Sequence, residues 1–179
     1  MNIFMVDNCP TIAGRSLCDK HTVRMVLESA QLLCTAHHMC PKHELPTKFY
    51  RKTHYNHPSA IWTRESSNNY KWLCEHAIAL CDEYTYRYGK IHASREIIEW
   101  CRNHIPDLPD IGPTPVKLAM PDEYKTDDPV ESYRNYYYYD KRKNIQCEWN
   151  KSRESPDWWN IMLALDELTE QAQELNMGY

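Results

Sequence analysis

The sequence predicts an all-α fold, on two observations. Apolar residues recur at helical spacing in several long segments, and strand signals are few. A chain of 179 residues fits one domain with its own core. The expectation is a compact single-domain helical bundle spanning 1–179, with about five to six helices joined by long loops.

Residues 2–7 read as a short extended segment or the lead-in to a turn. Ser16 to Asp19 matches a capping box, S-x-x-D, which opens a helix running to about His38. Its apolar face is Val23, Val26, Leu27, Ala30, Leu33 and Cys34, with Met25 and Leu32 on the flank. The remainder is a narrow polar strip of Lys20, His21, Arg24, Glu28, Gln31 and Thr35. This helix is expected to be largely buried, with one polar groove side.

Residues 39–57 form a loop rich in basic and aromatic side chains. Pro58 suits a first helical turn. A long helix, interrupted at Ser66-Ser67-Asn68-Asn69, follows to about Tyr88 and buries Trp62, Tyr70, Leu73, Ala77, Leu80 and Tyr84. Gly89 is a C-terminal stop, and a short helix spans 94–103. Residues 105–129 are proline-rich and form a loop or lid. Helices follow at 129–149 and from 156 to the end. The last carries Trp158, Ile161, Met162, Leu165 and Leu168 on one face and acids on the other.

No run of 18 apolar residues exists, so no membrane span is expected. The start has no basic region before an apolar core, which argues against a signal peptide. Cys34, Cys74 and Cys81 sit in apolar helical patterns, as free thiols do in a reducing cytoplasm. The net charge is −4, unevenly spread. Residues 1–105 hold 13 Lys/Arg, 10 Asp/Glu and all nine histidines, against 8 and 15 in residues 106–179. An anionic partner would dock on the first part or on a local patch elsewhere.

Three groupings could carry chemistry. His21 and Glu28 lie two turns apart on one helix face with Arg24 between them, so a carboxylate there can orient a proton or a developing cation. The alternative is a solvated helix face. Two basic patches have interleaved aromatics: 42–57, and 133–153 with Arg134, Lys141 and Tyr136 to Tyr139. Cations there would neutralise phosphates, and the rings would stack on bases. The third grouping is Cys34, His37, His38, Cys40 and His43, followed by His54 and His57, which leaves open a metal-dependent enzyme. It has no standard zinc spacing, so no metal ligand is assigned. Gly-rich phosphate loops and nucleophile elbows are missing, and no cofactor is implied.

Leu17-Cys18-Asp19-Lys20-His21, followed by Glu28, resembles the L-A-D-Q-H segment and following glutamate of the phage pyrimidine-dimer DNA glycosylases of the endonuclease V type. The His-to-Glu interval is the same. Asn69-Tyr70-Lys71-Trp72-Leu73 resembles that family's Y-D-K-L-E-F-L segment more loosely. The chain also resembles uncharacterised phage proteins carrying CDKH, NHPSAIW, DEYTYRYGK and AMPDEYK. The resemblance implies an endonuclease V-like fold and a DNA glycosylase/AP lyase acting on damaged or modified bases. It makes Glu28 the catalytic carboxylate, with His21 and Asp19 as matching neighbours and Arg24 beside them. It implies double-stranded DNA as partner, base flipping, and a place in the host cytoplasm if phage-encoded. Under this reading the DNA surface comprises Lys20, Lys52, His54, His57, Arg64, Arg87, Arg134, Tyr137 and Lys141.

Two departures bear on the chemistry. The family's nucleophile is the α-amine of a small residue exposed by Met removal, whereas Asn2 leaves Met1 in place. The amine would then be that of Met1, or Lys20, or be missing. The family's basic residue before the glutamate is Leu27 here. A non-catalytic DNA- or host-protein-binding role on the same scaffold is the alternative.

Overall fold

The computed structural model describes residues 1–177 and shows seven helices and no strand among them. They are α1 (Pro10–Arg15), α2 (Asp19–Met39), α3 (Pro58–Glu65), α4 (Ser67–Tyr88), α5 (Arg95–Asn103), α6 (Pro129–Asn135) and α7 (Asp157–Met177). From α6 the chain continues as a π-helical segment, Tyr136–Lys141, and a closing turn, Arg142–Asn144. No described helix is long and apolar enough to cross a membrane.

Local chemistry explains the boundaries. Pro10, Pro58 and Pro129 occupy first-turn positions, where the missing N–H costs nothing. Ser66 is extended and separates α3 from α4, and its Oγ accepts from Asn69 N at 3.1 Å. Gly89 closes α4 at φ 64°, in the left-handed region that glycine enters without penalty. The expected interruption at 66–69 and the stop at Gly89 are both present.

Helix α4 is the centre. It packs against α1, α2, α3 and α5, burying Tyr70, Leu73, Ala77, Leu80 and Cys81 against Leu33, Cys34, Ile98 and Cys101. Gly14 lets α1 approach closely, since a Cβ there would lie 3.1 Å from Ala79 Cβ and 3.2 Å from His76 O. A second, aromatic part of the core gathers Tyr137, Tyr138, Trp149 and Trp159 around the π-helical segment. All eight cysteines are free thiols.

Several expectations are corrected. Helix α2 begins at Asp19 without a side-chain cap. Ser16 instead ends α1, an unexpected helix, and its hydroxyl donates to Ile12 O at 2.8 Å. The polar strip of α2 is largely buried, at His21, Glu28 and Thr35, while Val23 and Leu27 of its supposed core face are exposed. The helix expected over 129–149 ends at Asn144, and Tyr84 is half-buried. On α7, Trp159 is buried, but Ile161, Leu165 and Leu168 stand in solvent. The final residues of the expected C-terminal helix, 178–179, lie outside the described residues.

Candidate functional site

The strip is buried because the chain start folds over it. Ile3, Phe4, Met5 and Val6 form an irregular apolar segment that is itself core. It turns on short-range bonds, Met5 N to Ile3 O and Val6 N to Phe4 O, and Arg134 Nε holds its end by donating to Val6 O at 2.8 Å. Asn2 is a clamp. Its Nδ2 donates to Ala119 O at 2.9 Å, and its Oδ1 accepts from Ile3 N at 2.8 Å and Tyr133 OH at 3.2 Å.

The consequence falls on Glu28. Its Oε2 accepts from Asn2 N at 3.0 Å and lies 3.7 Å from the Met1 amine. Its Oε1 accepts from Arg24 Nε at 2.7 Å. A carboxylate 8% exposed thus faces an ammonium and a guanidinium, and the remainder of the Arg24 side chain is open to solvent. These groups line a cavity of about 210 Å³, together with Phe4, His21 and Lys141.

His21 is fixed on two sides. Its ring stacks on Phe4 with centroids 4.8 Å apart, and its Nδ1 is 2.7 Å from the hydroxyl of the fully buried Tyr137. That hydroxyl also accepts from Cys18 N at 3.0 Å and lies 3.3 Å from Cys18 Sγ. The Cys18 thiol is held well below its ordinary pKa. The hydrogen bond with Cys147 is the chief cause, and His21 and Tyr137 add to it against the effect of burial. Cys147 is correspondingly pushed up by Cys18.

Lys141 reaches the cavity from the end of the π-helical segment. Its Nζ is 2.9 Å from Asp140 Oδ2 and 4.2 Å from the centre of the Tyr136 ring. Burial lowers its pKa, but the bonds to Asp140 and Tyr136 outweigh this and raise it, so Lys141 stays a cation. The loop before α3 borders the same side of α2, tied down where Thr53 N donates to Thr35 Oγ1 at 3.2 Å and Thr35 Oγ1 donates to Thr53 O at 3.1 Å. His57 caps α3 by accepting from Ser59 N. Burial and the nearby Met1 amine lower its pKa, with Glu28 opposing. His54 sits at φ 47°, a left-handed conformation uncommon for a residue other than glycine.

The other candidates separate from this site. Lys20 and Lys52 are exposed, with Lys52 Nζ 5.1 Å from the Tyr55 ring centre. Arg64 donates to Ala60 O within its own helix. Arg134 is engaged by Val6 O, Asp7 and the Trp158 ring. Two placements are corrected outright. Arg87, expected at a DNA surface, has a fully buried side chain that bonds Glu83, Asp19, Leu17 O and Arg15 O. Tyr137, expected to meet DNA, is at the centre of the core because its hydroxyl ties α2 to the π-helical segment. Asp19 is structural as well, accepting from Arg87 and from Asn150 N.

The histidine and cysteine cluster is dispersed into packing roles. His37 Nε2 pairs with Tyr70 OH, His38 Nε2 with Tyr50 O and His43 Nε2 with Ile105 O. Among the described residues no group of three or more His, Cys, Asp or Glu is arranged to hold a metal ion. Sequence reasoning missed Asn2 and Phe4 as site residues, and it named Met1 only as one of several possible nucleophiles and Tyr136 only within the 133–153 patch. The available signal was the apolar run Ile3–Val6 at the chain start, which a solvated tail would not carry.

Comparison of the chain with protein-family models, with curated proteins and with solved structures gives no match.

Proposed function

We propose that the protein is a DNA glycosylase/AP lyase that acts on damaged or modified bases, on a scaffold of the endonuclease V type, with the Met1 α-amine as nucleophile and Glu28 as catalytic carboxylate. The observation that carries this reading is the Met1 nitrogen 3.7 Å from Glu28 Oε2 in a cavity lined by His21, Arg24 and Lys141. Lys141 is held as a cation by Asp140 and Tyr136, which favours the Met1 α-amine over it as the nucleophile.

The chemistry follows from these groups. A base flipped from the stack brings its C1′ to the cavity. The amine nitrogen bonds C1′ as the glycosidic bond breaks, and its electron pair leaves with the base, which takes up a proton. Glu28 stabilises the cationic sugar and accepts the proton shed by nitrogen. The sugar opens at O4′ to give an imine. Loss of a C2′ proton then expels the 3′ phosphate, and water releases the amine. Arg24 and Lys141 line the cavity and the cations of 42–57 are exposed, which suits them to neutralise phosphates flanking such a nucleotide.

Borohydride reduction on DNA carrying damaged or modified bases tests this. The expected product is a covalent adduct on the Met1 nitrogen, located by peptide mass spectrometry and missing in Glu28→Gln. DNA binding with no adduct and no nicking removes the catalytic reading and leaves a non-catalytic DNA-binding protein.

A further inference from the structure

Helix α7 leaves a stripe of apolar residues uncovered. Its first turns dock through Trp158, Trp159 and Asp166, which accepts from Tyr138 OH at 2.8 Å and pairs with Arg142. Beyond that, residues 167–175 are exposed. Ile161, Leu165, Leu168 and Leu175 are 59%, 57%, 61% and 73% exposed. With Ala172 they are spaced 4, 3, 4 and 3 residues apart, the a/d spacing of a coiled-coil seam.

We propose that this seam pairs with the same seam of a second copy of the chain, forming a dimer through α7. The charge pattern selects this occupant. Helix α7 has no Lys or Arg, and its acids past the first residue, Asp166, Glu167, Glu170 and Glu174, fall at b, c and f positions away from the seam. The positions flanking the seam, Ala164, Thr169 and Gln171, are uncharged. Two copies therefore meet without like-charge contact, although each helix is strongly acidic. A basic partner would be met by acids at the seam's edges, where none stand. A lipid surface is read by basic flanks, and here the flanks are neutral and the back acidic. The seam is short for an isolated coil, but Trp158 and Trp159 anchor the helix before pairing. The dimer is independent of the chemistry proposed above.

Sedimentation of the full chain across the micromolar range tests it. The expected result is a mass rising to twice that of the monomer, and a monomer at every concentration for the Leu165→Glu/Leu168→Glu variant. Both positions are exposed, so circular dichroism and thermal unfolding of the dilute protein should stay unchanged. If that variant fails to fold, Leu168→Ala/Leu175→Ala is used, with a dissociation constant raised at least tenfold. A wild-type chain that stays monomeric, a dimer that survives both seam variants, or uptake onto neutral phosphatidylcholine vesicles would each overturn the proposal.

Discussion

The hydroxyl of Tyr137 lies 2.7 Å from Nδ1 of His21, and the two residues belong to segments 116 positions apart in the chain. Since the hydroxyl oxygen also accepts from Cys18 N, its one proton goes to His21 Nδ1 or to Cys18 Sγ. A thiolate at Cys18 would draw that proton and leave His21 Nδ1 to donate to the hydroxyl oxygen. Tyr137→Phe leaves the Cys18 N–H and His21 Nδ1 buried without this partner. It should cost about 1–3 kcal/mol in urea unfolding and shift the ring ¹⁵N resonances of His21. Unchanged resonances would show that the tautomer is set elsewhere.

Asn2 positions the Met1 amine. Asn2→Ala removes its side-chain bonds to Ala119 O, Ile3 N and Tyr133 OH. The expected loss is about 1–3 kcal/mol of stability, with borohydride-trapped adduct falling at least tenfold at equal folded concentration. Full trapping efficiency in the folded variant would mean that the clamp does not orient the amine.

Arg87 is a structural cation, unlike the exposed Lys52. Its guanidinium is fully buried against Glu83 and Asp19, and Glu83 is further bound by Arg153 at 2.6 Å. Burial works against ionisation of Glu83, but the bonds from Arg153 and Arg87 prevail and lower its pKa. Arg87→Ala takes the cation from buried Asp19, leaves Leu17 O and Arg15 O without this donor, and leaves Glu83 to Arg153, so it should cost about 3–5 kcal/mol. Lys52→Ala should instead leave unfolding unchanged and lower the salt slope of DNA binding by about 1. A change in that slope for Arg87→Met, measured on folded protein, would contradict the structural role.

Acid should weaken the fold through two histidines before carboxylates protonate. Burial lowers the pKa of His37 to about 4, with His43, His104 and His38 adding to it. Burial likewise lowers His76 to about 4 against its bond to Pro10 O. Between about 4 and 6.5 the unfolded chain binds protons that the folded one excludes, so stability is full above 6.5 and falls as pH drops to 4. Each histidine contributes on the order of 3 kcal/mol. Urea midpoints flat across this window, or unaffected by His76→Gln, would refute this.

The longer helices, though not α1, were legible in the sequence because their signals are local. Periodic apolar positions, Pro58, Ser66 and Gly89 act within a turn or two of where they stand, so the α3–α4 break and the Gly89 stop needed no tertiary knowledge. The His21, Arg24 and Glu28 face was legible for the same reason, since spacing alone puts the three on one side of α2. Spacing does not say what covers a face. That was decided by segments remote in sequence, the Ile3–Val6 run, Asn2 and the π-helical tyrosines, which close over a polar strip and turn it into a cavity. The same rule worked in reverse at Arg87, a basic residue on a helix that the fold buried, and on α7, an apolar face that the fold left open. Burial is a property of pairs of segments, and only the packed chain settles it.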